Sequence, residues 1–338
     1  MKNFLITALK IGLSLAILGY LISKAVNDRA FAEFNSQPKN WGLLAASFLS
    51  FFVSLMICNI RWYYLVRALD LPFTIREAVR LGFLGYLFNL APTGIVGGDL
   101  LKAVMLSKHL GGHRTKAMAS VIADRVIGLH VLFIVASVAI LVTGFWRIGD
   151  PQIYHIAIGT LAVTAVGSVA MAVLFIPGAT GGRLTRAMAD ASPLGRALER
   201  LISALRMYQK DLPTLIGSVL MTVGVHVTFI FGIYLTARGL YGHHVAPLAM
   251  QFVIVPLTGS TAVIPLPMGP FEVVLDFLYG RYGLLHPGLI VPHQGLIVAL
   301  GYRMITVLIA FVGFCYYLGS RQEVADVIRS GSEAVEVA

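Results

Sequence analysis

Charge is scarce in this chain. Asp, Glu, Lys and Arg together make up 12% of its 338 residues, about half the share of an ordinary soluble domain, while 57% are hydrophobic. A soluble fold could not bury that much apolar surface, so the composition excludes one. Cysteine is nearly missing: only Cys58 and Cys315 occur, both inside apolar runs, which rules out a disulfide framework and a cysteine-rich metal site. The chain has no P-loop, dinucleotide fingerprint, G-x-S-x-G elbow or H-E-x-x-H helix, and this argues against ATP-driven work by this chain alone. Acids are the scarcer charge, and the formal net charge is +10. The basic residues sit in short loops between apolar runs without interleaved aromatics, a pattern that fits the positive-inside rule and not a nucleic-acid face.

What remains is hydrophobic length. A spanning helix needs about 20 apolar residues for a hydrocarbon core of ~30 Å, so the chain has room for about eight membrane segments and none for a separate soluble catalytic domain. Full spans are expected near 4–23, 42–60, 117–144, 153–176, 213–236 and 294–318. The start of the chain imitates a secretory signal, with Ile11–Ile22 as apolar run and Ala30-Phe31-Ala32 as cleavage-like site. Lys24, Asp28 and Arg29 interrupt the path between them, so a retained first helix is expected.

Two further apolar stretches, 80–106 and 247–280, are broken by proline and glycine. They read Ala91-Pro92-Thr93-Gly94-Ile95-Val96-Gly97-Gly98-Asp99 and Ile264-Pro265-Leu266-Pro267-Met268-Gly269-Pro270-Phe271-Glu272. Proline removes a backbone donor and clashes with the preceding turn, so neither stretch is expected to be one continuous helix. If each enters and leaves on one side, with the N-terminus inside, 18 Lys and Arg lie inside and six outside, with Arg125 and Arg303 within helices. Treating either stretch alone as a single crossing would spoil this asymmetry.

An internal symmetry follows. Span, span, broken hairpin and span fill 4–144, and from 153 the order repeats with opposite orientation. Pro92 and Asp99 are seven residues apart, as are Pro265 and Glu272, and each hairpin is followed by a helix carrying one arginine. Secondary transporters use such inverted repeats with paired broken helices. The expected fold is all-α: six full spans and two Pro/Gly-broken hairpins in an inverted repeat. Its first unit is 1–144 with hairpin 80–106. The second is 153–320 with hairpin 247–280, and 321–338 forms a cytoplasmic tail. Within the second unit, 178–212 is polar, with Leu184, Met188, Leu194, Leu198, Leu201 and Leu205 at rough helical spacing. It reads either as a helix lying on anionic headgroups or as an ordinary solvated helical loop.

Ionised groups at depth cost at least ~2.5–3.5 kcal/mol unless paired or hydrated, so Asp99, Glu272, Asp124, Arg125 and Arg303 are the informative charges. In a functional reading the breaks present free backbone groups, Gly94, Gly97 and Gly98 let a headgroup approach, and the arginines attract phosphate. In a structural reading Asp99 and Glu272 cap the second limb of each hairpin, and the arginines are interior ion-pair partners. The two are compatible. His109 and His113 have metal-like spacing, but Gly111 and Gly112 lie between them and no carboxylate or cysteine joins them, so no metal is expected. His243-His244 reads as a wet surface pair. Trp41, Trp62, Tyr63 and Tyr64 fall at span ends, where aromatic belts are expected.

The run Asn89-Leu90-Ala91-Pro92 to Gly97-Gly98-Asp99, then Lys102, Asp124-Arg125, and Pro265 to Glu272 with Pro267 and Gly269 between them, resembles the flippase-like transmembrane family that includes the membrane region of lysylphosphatidylglycerol synthases. The likeness covers about 5–320. The second element departs from the family, which often has Gly-Gly-x-Gly before the acid. The resemblance implies a protein of the bacterial inner membrane that moves or handles a lipid; the Lys and Arg count places both termini on the cytoplasmic side, and no cofactor is expected. Taken with the reading of the buried charges, the candidate substrate-contacting positions are Asn89, Pro92, Gly94, Gly97, Gly98, Asp99, Lys102, Asp124, Arg125, Pro265, Pro267, Gly269, Glu272 and Arg303. The leading expectation is a translocase for an anionic or polyprenyl-linked lipid, with Asp99 and Glu272 holding the hairpin tips or titrating with a coupled proton. A membrane-embedded lipid transferase using Asp99 or Asp124 as base, and a scaffold for lipid-synthesis enzymes, are the rivals. The protein partners that this expectation allows are such enzymes and a second copy of the chain.

Overall fold

The structure, a computed structural model, describes residues 2–28, 30–36, 38–90, 97–109, 113–176, 193–264, 266 and 268–327. Pro92, Gly94, Pro265, Pro267, Leu184 and Met188 lie outside them. The described regular structure is helical throughout: α1 (Lys2–Asn27), α2 (Ala30–Ser36), α3 (Trp41–Arg67), α4 (Ile75–Leu90), α5 (Gly98–His109), α6 (Arg114–Thr143), α7 (Pro151–Phe175), α8 (Pro193–Arg206), α9 (Leu212–Tyr241), α10 (Leu248–Gly259), α11 (Pro270–Leu285) and α12 (Gln294–Gly319), with 3₁₀ turns at Phe145–Arg147 and Ser260–Val263. Six helices are long and apolar enough to cross a membrane: Ala8–Asn27, Trp41–Arg67, Arg114–Thr143, Pro151–Leu174, Leu212–Tyr241 and Gln294–Gly319. They are the six runs read from the sequence.

Polar starts define these helices. Asn40 caps α3 through the Leu43 amide (3.1 Å), Asp150 caps α7 through the Gln152 (2.8 Å) and Ile153 (3.2 Å) amides with Pro151 at N1, and Asp211 caps α9 through the Thr214 amide (3.2 Å). Both interrupted stretches are two helices and not one: α4 ends at Leu90 before α5 begins at Gly98, and α10 with its 3₁₀ turn ends at Val263 before α11 begins at Pro270.

The packing centre is the pairing of α3 with α9. Hydroxyls and small residues line this seam. Ser47 Oγ donates to the Gly232 carbonyl (2.8 Å), Ser50 Oγ to that of Thr228 (2.7 Å) and Ser54 Oγ to that of Val225 (3.0 Å), while Arg61 reaches Thr222 Oγ1 (2.7 Å). Partner numbers fall along α9 as they rise along α3, so the helices run antiparallel. In an apolar solvent this is how helices associate, through close backbone approach and interhelical hydrogen bonds.

The other contacts come in matched pairs, the first pair exchanged between the two halves of the chain and the rest repeated within each half. α4 packs on α12 and α10 on α6, α5 lies against α6 and α11 against α12, and α3 meets α4 as α9 meets α10. Lys116 Nζ donates to the Leu69 carbonyl (2.8 Å), Tyr208 Oη to that of Leu65 (3.0 Å), and Arg80 bridges Glu323 (3.3 Å). These contacts gather the α3 and α12 C-termini with the α4, α6 and α9 N-termini at one end of the bundle. At the other end Gln294 Nε2 donates to the His244 carbonyl (2.6 Å). The pair α4–α5 therefore starts and finishes at the first end, and α10–α11 at the second.

Three features differ from expectation. α3 runs on to Arg67, so Arg61, counted with the inside loop, lies within the bundle at 4% exposure. Trp62 is buried and is not a belt residue, because its indole donates to Ser120 Oγ (3.3 Å). Helix α8 turns Ala204 and Leu205 into a core cluster and packs on α6 and α7, so this part of its apolar face meets protein, with Leu198 left exposed.

Candidate functional site

Hairpin α4–α5 closes because its limbs touch backbone to backbone. A Cβ on Gly98 would stand 1.8 Å from the Gly85 carbonyl oxygen, so only glycine fits there. The Asn89 side chain, at the end of α4, accepts from the Gly98 amide (2.9 Å) and also bonds Asp99, tying the first turn of α5 to the last turn of α4. Asp99 sits in that first turn and forms an ion pair with Arg125 of α6.

Hairpin α10–α11 ends its break differently. Gly269 adopts φ +108°, a conformation L side chains rarely take, and its amide donates to Glu272 Oε2 (2.8 Å), so the acid folds back to cap the helix it begins. The other oxygen of Glu272 accepts from Arg303 Nε of α12 (2.6 Å). The guanidinium lies 5.9 Å from the ring centroids of both Phe271 and Tyr302. For this half the capping and ion-pair roles hold together.

Each hairpin acid is thus paired with the arginine of the following long helix. Arg125 lies eleven residues into α6 and Arg303 nine into α12. At 1.5 Å per residue these are depths of about 16 Å and about 14 Å, measured from opposite ends, which brings both pairs towards the middle of the bundle. Their surroundings differ. Glu272 is 1% and Arg303 20% exposed, whereas Asp99 is 31% and Arg125 57% exposed. The second pair is shut in by aromatic rings, and the first is open.

Two residues complete the open site. Lys102, one turn along α5 from Asp99, holds its ammonium 5.2 Å from the centroid of the buried Trp62 ring. Among the described residues it has no carboxylate at salt-bridge distance, although the Asp99 charge is near. Arg61, which the loop count had concealed, donates through Nε to Asp124 Oδ1 (2.9 Å) and through Nη1 to Thr222 Oγ1 (2.7 Å). It joins α3, α6 and α9 immediately behind Arg125. A signal existed in the sequence: Trp62-Tyr63-Tyr64-Leu65-Val66 continues the apolar run beyond Arg61, which puts that charge inside a helix.

The structure therefore brings Asn89, Gly98, Asp99, Lys102, Asp124 and Arg125 together, with Gly97 exposed beside them, and gathers Gly269, Glu272 and Arg303 at a second place. Among the described residues, no three or more His, Cys, Asp or Glu side chains form a group that could hold a metal ion. At the open site two cations face one carboxylate, while Arg61 and Asp124 cancel, leaving one net positive charge beside a broken hairpin.

The family model described as lysylphosphatidylglycerol synthase TM region matches residues 7–313. No curated protein matches the chain.

Proposed function

From the premise that this chain belongs to the lysylphosphatidylglycerol synthase TM region family, a multi-pass membrane family linked to lipid handling, we propose that it is a lipid translocase, without enzymatic activity of its own, for anionic or polyprenyl-linked lipids of the bacterial inner membrane. The single observation that carries the reading is the open site of Asp99, Arg125 and Lys102. An excess cation within a membrane-crossing bundle is costly unless a counter-charge arrives, and a lipid phosphate supplies one. The tails stay in the hydrocarbon while the headgroup follows the polar groups between the hairpins.

The proposed architecture is an inverted repeat, with 1–144 and 153–320 as its units, the hairpins re-entrant from opposite leaflets, and both termini cytoplasmic. Two facts support it: the corresponding helices α3 and α9 run antiparallel, and contacts exchange between the halves. The basic residues at the α3 C-terminal end support a cytoplasmic placement for that end. In this scheme the open Asp99–Arg125 pair and the closed Glu272–Arg303 pair are two stages of one cycle, and each would open in turn.

The test is reconstitution in liposomes with fluorescent phosphatidylglycerol in one leaflet. The wild type should equilibrate the label between leaflets, and Lys102→Gln should slow it about tenfold, the worth of one charge-assisted hydrogen bond. Equal rates for wild type, Lys102→Gln and protein-free vesicles across anionic and polyprenyl-linked lipids would remove the proposal.

A further inference from the structure

At the far end of α9 a second, half-buried cation stands without an acid among the described residues. Arg238, in the last turn, donates through Nη1 to Tyr234 Oη (3.0 Å), stacks 5.8 Å from the centroid of that ring, and has His243 Nδ1 3.5 Å from Nη2. Its Nε is buried with no hydrogen-bond partner, which makes Arg238 the one charged side chain among the described residues with such an atom. No carboxylate of those residues pairs with it. A buried donor left without an acceptor is unfavourable, and structures normally meet a half-buried guanidinium with an acid or a ligand.

The groups around this guanidinium are donors. The Tyr234 oxygen accepts from Arg238, so its own proton points elsewhere. A guanidinium only donates, so His243 must accept through Nδ1 and carry its proton on Nε2. His243 is exposed, so the cluster is reachable. A helix C-terminus opposes an anion with about half a charge. Here that effect is blunted, because the last carbonyls are occupied: Arg238 O by the Gly242 amide, Gly239 O by the Asn40 amide and Leu240 O by Lys39. The full guanidinium charge outweighs it.

We propose that Arg238, Tyr234 and His243 form an oxyanion site for a phosphate group, at the end of the bundle where α9 finishes and apart from the Lys102 site. Arg238 is sixteen residues beyond Thr222, the α9 residue that Arg61 holds, which separates the two along α9 by about 24 Å. That distance is most of the thickness of the hydrocarbon core, so one phosphate cannot occupy both sites.

The experiment is thermal unfolding of the full-length protein in a nonionic detergent, titrated separately with short-chain phosphatidylglycerol and with inorganic phosphate. Ligand binding to the folded state raises the midpoint saturably. Lys102→Gln should retain a saturable shift, and adding Arg238→Gln to it should weaken the apparent affinity at least about tenfold. Arg238→Lys should keep most of the shift, and Tyr234→Phe, which removes one donor without a cavity, should weaken it about threefold, which separates binding from a folding defect. A shift with phosphatidylglycerol alone identifies a lipid headgroup, and an equal shift with inorganic phosphate identifies the free anion. Loss of all saturable binding in Lys102→Gln alone, or equal affinity with and without Arg238→Gln, would overturn the site. Neither result touches the proposal for Lys102.

Discussion

Asp124 and Arg125 are neighbours in α6 that serve different partners: Asp124 accepts from Arg61 of α3, and Arg125 pairs with Asp99 at the start of α5. Successive helical residues point about 100° apart, so one dipeptide can lock a helix to the bundle with one side chain and hold a hairpin with the next. The buried pair fixes the rotation of α6 and thereby aims Arg125. Four predictions follow from this and neighbouring geometry.

Breaking the buried pair should cost stability. Arg61→Ala or Asp124→Asn leaves one buried charge uncompensated and should destabilise by ~3–5 kcal/mol. A double Arg61→Met, Asp124→Leu variant should recover part of the loss. Thermal unfolding in detergent measures all three, and a double variant no better than the sum of the singles would show that the pair is not coupled.

Hairpin closure should depend on Gly98 and not on Gly97. A Cβ on Gly98 meets backbone that cannot move aside, whereas a Cβ on Gly97 would meet no atom of the described residues within 4 Å beyond its chain neighbours. Gly98→Ala should destabilise by about 1–3 kcal/mol and slow lipid exchange, while Gly97→Ala should match the wild type. Paired melting curves and exchange assays decide this.

Arg125 and Lys102 should behave differently on substitution. Arg125→Gln frees Asp99, so stability and exchange should both fall. Lys102→Gln breaks no ion pair among the described residues and should lower exchange with little change in melting temperature, and Lys102→Arg should preserve it. A large melting change in Lys102→Gln would instead assign the lysine a structural role.

The end of α1 should loosen at high pH. His293 bonds Asp276 through Nδ1 (2.8 Å) and Asp28 through Nε2 (2.9 Å), and only the doubly protonated ring can donate to both. Partial burial pulls its pKa down, but the two carboxylates outweigh it and hold the pKa above the ordinary histidine value. The contribution is therefore complete below about pH 6.5 and is lost as pH rises through the elevated folded-state pKa. Melting temperature against pH should fall over that window in the wild type and stay flatter in His293→Gln. Parallel curves would rule the latch out.

Much of this was legible in the chain itself. Six long apolar runs became the six long helices, because a bilayer-length stretch has no other way to satisfy its backbone. The division of 80–106 and of 247–280 into two helices each was legible because proline and glycine act locally, and Asp99, Glu272, Arg125 and Arg303 stood out as charges where charge is expensive. Arg61 and Arg238 did not stand out. Each lies near the end of an apolar run, where a basic residue normally snorkels to water, and its distinction comes from a partner, or the lack of one, elsewhere.

Amino-acid order alone thus determined the six long apolar helices, the division of each interrupted stretch into two helices and the positions where charge is expensive, since all are properties of nearby residues. Only the tertiary structure decided that the Glu272 pair is closed and the Asp99 pair open, that Lys102 is left over, and that α3 and α9 meet along a hydroxyl-lined seam. Ion pairing and burial depend on distances between segments remote in sequence, and a short-range pattern of residues carries no record of those distances.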